Sequence, residues 1–286
     1  MDGAKSQRLR KLFGGDRVIR AVGAHDALTA RLVQEAGFEA IWASSLELSA
    51  SHAVPDAGVL SLTQYLDAAE DMDEAVDLPV IADCDTGFGG PLNVAHLVRR
   101  YERRGIAAVC IEDKVFPKMN SFAEVDHPLV PTAEFAAKIT AGKEAQQDSD
   151  FMVLARTEGF IAGLRTDAVL ERGVAYAAAG ADAVLVHSRL DRPDEVLAFA
   201  RRWPLDIPLI AVPTTYHTVH EQELWSAGFR LVIYANHVIR AQVSAVAAML
   251  GQLADQGTAR AVEPWLVSMT ELFRLQGMPA AVRIER

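Results

Sequence analysis

The stretch RRGIAAVCIED, residues 103–113, sets the pattern for the whole chain. A helical segment ends at Gly105, and a short apolar run follows and closes on Glu112 and Asp113. The same unit recurs as EAGFEAIWASS (35–45) around Gly37, AAGADAVLVHS (178–188) around Gly180 and SAGFRLVIYANH (226–237) around Gly228. Glycine just past a helix adopts the left-handed conformation without a Cβ penalty and so ends the helix. The Val/Ile/Ala/Leu run after it is what a parallel strand covered on both faces requires. Three more apolar runs fill the gaps: LPVIADCDTG (78–87), FMVLARTEG (151–159) and PLIAVPTTY (208–216). An early strand is expected near Val18 to Val22, which brings the count to eight. Helical patterns such as NVAHLVRRYERR (93–104) and TDAVLERGVAYAAA (166–179) separate them. Alternation in this number predicts a (β/α)8 barrel occupying residues 1–286 as a single domain. A doubly wound open sheet is the alternative, but no GxGxxG follows a strand, so a dinucleotide site is not supported.

Composition narrows the function. A chain of 286 residues is ordinary for one α/β barrel, and a hydrophobic content of 50% supplies a large core. The net charge of −10 argues against a nucleic-acid partner, which calls for a basic face. It also means that an anionic substrate needs a bound cation or a few placed Lys and Arg residues. The two cysteines, Cys84 and Cys110, lie in apolar runs and are expected to be buried thiols in a reducing cytosol. No CxxC or Cys/His cluster suggests zinc. The opening MDGAKSQRLRKLF lacks the apolar core of a secretion signal, and no run approaches the ~18 apolar residues of a membrane span. A cytoplasmic protein with no membrane partner is expected.

In a barrel, chemistry sits at the C-terminal ends of the strands. Those ends read Ser44-Ser45-Leu46, Asp83-Cys84-Asp85, Glu112-Asp113-Lys114, Arg156-Thr157-Glu158, His187-Ser188, Pro213-Thr214 and Asn236-His237. Asp83 and Asp85 are two apart, which on a strand puts both on one face, and Glu112 ends the next strand. Three carboxylates in one barrel mouth repel unless a cation is present. Oxygen-only ligands favour a hard cation such as Mg²⁺. The alternative is that some of these acids cap helices or sit solvated in loops. The glycines of TGFGG (86–90) permit tight turns and close approach of backbone to a ligand. Residues 114–130, KVFPKMNSFAEVDHPLV, form the longest strand-to-helix connection and read as a lid rather than an ordinary surface excursion. Lys118, Asn120 and Ser121 suit phosphoryl oxygens, and Phe116, Phe122 and Leu129 are expected to pack the loop shut. Arg156 can hold a carboxylate or phosphate bidentately, or pair with Glu158. His187 is assigned a supporting role; His217, His220 and His237 fall in no pattern.

From about Ala24 to Gly277 the chain resembles the phosphoenolpyruvate mutase and isocitrate lyase superfamily, in its mutase and phosphonopyruvate hydrolase branch. The marks are WASSLELSASHAVPD, ADCDTGFGG, EDKVFPKMNS, IAGLRTDAVLERG, GADAVLVHS, VPTTY, ANHVIRAQVSAV and TELFRLQ. The EDK-x-FPK-x-NS loop is the most specific. The resemblance implies Asp83 as the direct Mg²⁺ ligand, with Asp85 and Glu112 holding metal waters. It implies that Ser44, Ser45 and Leu46 offer backbone or hydroxyl groups to a pyruvoyl carboxylate and carbonyl, although the family usually has glycine where Ser45 stands. Arg156 would bind the substrate and His187 would support it. Asp56, in AVPD, would lie beside the transferring group, and Lys118, Asn120 and Ser121 would come from a gating loop over residues 114–130. It implies a homodimer or homotetramer that exchanges the last barrel helix through the segment 238–286.

The lyase branch uses a cysteine in a KKCGH-type loop, and EDKVFPKMNS has none. C–C cleavage and oxaloacetate decarboxylation are therefore disfavoured. The resemblance leaves a mutase that interconverts phosphoenolpyruvate and phosphonopyruvate, or a hydrolase that releases pyruvate and phosphate from phosphonopyruvate. Asparagine at position 120 matches the mutases, where the hydrolase resembles a threonine variant. LELSAS-x-AVPD is closer to the hydrolase, and Thr157 departs from the valine usual in both. The mutase is the preferred expectation.

Overall fold

The glycines of the repeat behave as the pattern requires. Gly37, Gly105, Gly180 and Gly228 have φ of 80, 81, 103 and 107°. Each ends a helix immediately ahead of a strand. The computed structural model describes residues 4–284. Its strands are β1 (Ile19–Ala24), β2 (Ala40–Ala43), β3 (Val80–Asp83), β4 (Ala108–Glu112), β5 (Met152–Thr157), β6 (Ala183–Val186), β7 (Leu209–Ala211) and β8 (Phe229–Tyr234). All pairings are parallel and β8 closes on β1, so the eight strands form a barrel and not an open sheet.

Helices alternate with them. They are α1 (Lys5–Phe13), α2 (Ala27–Glu35), α3 (Ser45–Ser51), α4 (Leu62–Ala75), α5 (Pro91–Arg103), α6 (Thr132–Ala145), α7 (Thr166–Ala178), α8 (Asp194–Arg202), α9 (Glu221–Ser226) and α10 (His237–Gln256). Residues two apart on each strand share a face, and those facing inward fill the barrel. Ile19 and Ala21, Ala108 and Cys110, and Met152 and Leu154 belong to this interior cluster. Outward residues such as Val184 and Leu209 pack under Val169 of α7 and Phe199 of α8. Both cysteines are free and buried, as expected.

The floor of the barrel was not anticipated. The opening segment had been read only for what it lacks, yet α1 brings Leu9 and Phe13 into the interior cluster. Arg10 donates to the carbonyls of Asp150 and Phe151 at 3.3 and 3.1 Å and to Asp182 at 3.0 Å. These acceptors precede β5 and β6, so α1 lies across the N-terminal ends of the strands and leaves the other end for chemistry.

Backbone contacts divide the chain into Met1–Asn236, which holds the entire barrel, and His237–Arg286. In the second unit α10 is 20 residues long and buries only Ile239, whereas Val243, Val246 and Leu250 are exposed. No helix among the described residues is long and apolar enough to cross a membrane. Leu9 is fully buried. Leu9→Ala is expected to cost about 2–5 kcal/mol, the range for a leucine cavity in a core, and to lower the urea midpoint of unfolding; an unchanged midpoint would show that α1 does not seal the barrel.

Candidate active site

Asp83, Asp85 and Glu112 lie at adjoining strand ends, but not by the strand geometry expected. β3 ends at Asp83, and Asp85 lies beyond it with φ 48°. Aspartate tolerates this left-handed conformation better than most residues. The ladder nevertheless continues past the strand. Cys84 N donates to Cys110 O at 2.8 Å, and Glu112 N donates to Asp85 O at 2.7 Å. Backbone pairing with β4 thus sets Asp85 beside Glu112. The following glycines serve packing rather than a ligand. A Cβ on Gly87 would sit 2.5 Å from Val94 of α5, and one on Gly89 would sit 2.4 Å from the Asn93 carboxamide.

Ser44 caps α3, accepting from Glu47 N, so Ser45 and Leu46 begin that helix beside the end of β3. The Ser45 hydroxyl donates to Asp83 Oδ2 at 2.8 Å. Ser45 lines the cavity as expected, with its hydroxyl bonded to the acid.

The loop 114–130 folds over the barrel mouth through polar contacts. Lys118 Nζ donates to Asp56 Oδ1 at 2.6 Å, and Asn120 Nδ2 donates to Asp56 Oδ2 at 2.6 Å. Lys118 also lies 3.3 Å from Asp85 Oδ1. At the base of the loop the buried Lys114 donates to Met119 O and to Ser121 Oγ at 2.9 and 2.7 Å. The aromatic closure expected is largely absent, because Phe116 and Phe122 are 46% and 39% exposed. Phe122 still meets the His187 ring edge-on at 5.9 Å.

Glu158 is the hub the sequence reading missed. It had been considered only as a partner for Arg156, a pairing that does form, with Arg156 Nε 2.5 Å from Glu158 Oε1. Glu158 also accepts from Ser121 Oγ at 2.6 Å, and Lys114 Nζ lies 3.0 Å from it. His187 Nδ1 is 2.7 Å from Glu158 and 2.8 Å from Arg156 Nη2. Burial lowers the His187 pKa from the ordinary imidazole value, against the opposing pull of Glu158. Burial opposes ionisation of Glu158, but Arg156 and His187 outweigh it and hold the carboxyl well below its ordinary range. A signal for this hub existed: Arg156 and Glu158 are two apart at a strand end, and Lys114 opens the loop.

Ser44, Ser45, Leu46, Asp56, Asp83, Lys118, Asn120, Ser121, Arg156 and His187 line one cavity at the C-terminal end of the strands. Trp42, Phe122, Val212, Thr214, Ala235 and Asn236 complete its wall. Thr214 and Asn236 had been read as strand ends without a role. Asp85 and Glu112 sit beneath, reached through Lys118 and through Arg156, whose Nε is 3.3 Å from Glu112 Oε2.

Charge in this pocket does not balance. Among the described residues Asp56, Asp85, Glu112 and Glu158 pair with Lys114, Lys118 and Arg156, Glu158 also meets His187, and Asp83 takes a hydrogen bond from Ser45. The carboxyl groups outnumber the fixed cations, an excess that a bound cation would offset. Both oxygens of Asp85 and Oε1 of Glu112 are buried and accept no hydrogen bond. Burial raises Asp85 to about 6 against the opposing pull of Lys118, and raises Glu112 to about 7 against Arg156. Among the described residues no group of three or more His, Cys, Asp or Glu is placed to hold a metal ion by itself. The unpartnered oxygens of Asp85 and Glu112 suit a hard cation, which would have to keep several waters, as Mg²⁺ does.

Residues 9–254 match the family described as phosphoenolpyruvate phosphomutase. The chain belongs to the phosphoenolpyruvate mutase family. It is 44% identical to the phosphonopyruvate hydrolase of Variovorax sp. strain Pal2, over 96% of this chain and 95% of that protein. Among solved structures, the phosphoenolpyruvate phosphomutase from Streptomyces platensis subsp. rosaceus is 49% identical, with a TM-score of 0.97 over 99% of this chain and 98% of that one. A phosphonopyruvate hydrolase complexed with oxalate and Mg²⁺ is 43% identical, with a TM-score of 0.94 over the same shares. Family membership therefore holds on both sequence and fold, and relatives of both activities stand at comparable distance.

Metal binding requires ionised carboxylates and releases protons from any that are protonated. Two groups raised into the range 6 to 7 must lose protons to bind a dication. Thermal stabilisation by Mg²⁺ is therefore expected to be larger at about pH 8 than at about pH 5.5. Differential scanning fluorimetry with and without Mg²⁺ reads this directly, and equal shifts at both pH values would contradict it.

Proposed function

We propose that the protein is a Mg²⁺-dependent, cytoplasmic phosphoenolpyruvate mutase that interconverts phosphoenolpyruvate and phosphonopyruvate. The observation that carries this reading is the pair Lys118 and Asn120, both turned into the cavity mouth and both donating to Asp56. These donors suit the oxygens of a phosphoryl group in transit, and asparagine at position 120 is the residue the mutase resemblance carries.

The chemistry divides between the two sides of the cavity. Breaking the C–P bond leaves the electron pair on the pyruvoyl fragment as an enolate and frees a metaphosphate-like group. Asp83, Asp85 and Glu112 would hold Mg²⁺, which would supply positive charge to offset the enolate. Arg156 holds the pyruvoyl carboxylate, and Glu158 fixes the Arg156 guanidinium, with His187 beside both. Ser44 and Leu46 border the same end. Lys118, Asn120 and Ser121 keep the phosphoryl group in place and fill space that water would use, while Asp56 orients Lys118 and Asn120. The enolate then presents its oxygen, and the P–O bond of phosphoenolpyruvate forms. If water attacks phosphorus first, the enolate takes a proton at carbon and the products are pyruvate and phosphate. LELSAS-x-AVPD favours that hydrolase reading. C–C lyase chemistry has less support, because both cysteines are buried and neither lines the cavity.

The exposed apolar residues of α10 support a further part of the reading, exchange of the segment 238–286 between copies in a dimer or tetramer. Light scattering after size exclusion is expected to give two or four chains per particle; a monomer would remove this part.

Incubation with phosphonopyruvate and Mg²⁺, followed by ³¹P NMR, is expected to show the phosphoenolpyruvate resonance. Inorganic phosphate alone would replace the mutase with the hydrolase. Asp83→Ala is expected to abolish turnover with circular dichroism unchanged, and an active variant would discard the metal assignment.

A further inference from the structure

The cavity contains one carboxylate that the protein leaves without a cation. Asp56 and Asp85 share Lys118, Glu112 lies beside Arg156, and Glu158 is held by Arg156 and Lys114. Among the described residues no Lys, Arg or His pairs with Asp83. Its carboxylate is 7% exposed overall, lines the cavity, and takes its side-chain hydrogen bond from Ser45 alone, at 2.8 Å to Oδ2.

Ser45 is itself held firmly. It is 1% exposed and is the first residue of α3. Ala43 of β2 pairs with Ala82 of β3, which brings the start of α3 alongside Asp83. The donor therefore comes from one rigid strand end and the acceptor from the next.

We infer that Ser45 is a positioning residue for Asp83: its hydroxyl occupies Oδ2, fixes the rotation of the carboxylate, and leaves Oδ1 as the one oxygen available to a hard dication. This rests on the metal reading given above. The physical reasoning has two parts. A carboxylate with one oxygen already hydrogen-bonded has a defined orientation, and such outer contacts typically contribute 10–100-fold to metal affinity. Without that donor, Asp83 is free to turn toward the nearby ammonium of Lys118, which would neutralise the acid the site keeps unpaired. The hydroxyl is then committed to the acid and not to the pyruvoyl group.

Mn²⁺ serves as a probe that reports binding without turnover. Electron paramagnetic resonance titration of the wild type, Ser45→Ala and Ser45→Thr is the test, with oxalate affinity measured at saturating Mn²⁺ as a second readout. The expected result is an Mn²⁺ Kd roughly tenfold weaker in Ser45→Ala, recovery in Ser45→Thr, which keeps a hydroxyl, and little change in oxalate affinity once metal is saturating. Wild-type Mn²⁺ affinity in Ser45→Ala would overturn the inference and leave the metal site standing. So would normal metal affinity with weakened oxalate binding, which would return the hydroxyl to the substrate. A wild-type protein that binds no Mn²⁺ would overturn the metal reading itself, and this inference with it. Matching circular dichroism spectra across the three proteins separate a lost contact from a lost fold.

Discussion

The architecture of the mouth depends on burying more negative than positive charge. Taking an ion out of water costs several kcal/mol unless it is paired and hydrogen-bonded. Here Lys114, Lys118 and Arg156 are placed so that each touches two carboxylates. That sharing is why the polar network is continuous rather than a set of separate pairs. It ties the loop 114–130 to the ends of β4 and β5, and it ties Asp56 to the end of β3. On the proposed reading, the residual charge around Asp83, Asp85 and Glu112 would be offset by a hard cation. A chain with a net charge of −10 could in this way receive an anionic substrate at its most acidic point.

The barrel was legible because it is written in a period. Glycines that end helices recur ahead of apolar runs, and four of them take the positive φ that this role requires. The polar strand ends followed from the same period, and the cavity gathers most of them. What was not legible lacked a period. α1 is a single amphipathic helix whose partners lie across the barrel floor at Asp150 and Asp182, far along the chain. The position of Asp85 depends on a left-handed residue and a backbone bond to β4, neither of which i, i+2 spacing encodes. The length of the loop marks it as a lid, with Phe116, Phe122 and Leu129 expected to pack it shut. Its closure instead rests on Lys114, Lys118 and Asn120, because their acceptors Glu158 and Asp56 lie elsewhere in sequence.

Two layers of the site carry different information. On the proposed reading, the acids and Arg156 make a charge-stabilising floor suited to any reaction that develops an enolate, and so they do not choose among outcomes. On that reading the loop does choose. Asp56 aligns Lys118 and Asn120 by accepting one hydrogen bond on each of its oxygens. A carboxylate committed on both oxygens fixes the spacing of two donors, and that fixed spacing is what a phosphoryl group with equatorial oxygens needs.

Transfer and hydrolysis then differ in whether water reaches phosphorus while the enolate turns from carbon to oxygen. Lys118 and Ser121 are nearly fully buried, and the half-buried Asn120 lines the cavity with them. The carboxamide holds its place from both ends, donating to Asp56 and accepting from Phe122 N at 2.9 Å. A residue anchored twice leaves little room to admit a solvent molecule beside it. On the proposed reading, the acids of the floor make C–P cleavage possible, and the double anchoring of Asn120 decides that the phosphorus goes to the enolate oxygen instead of to water.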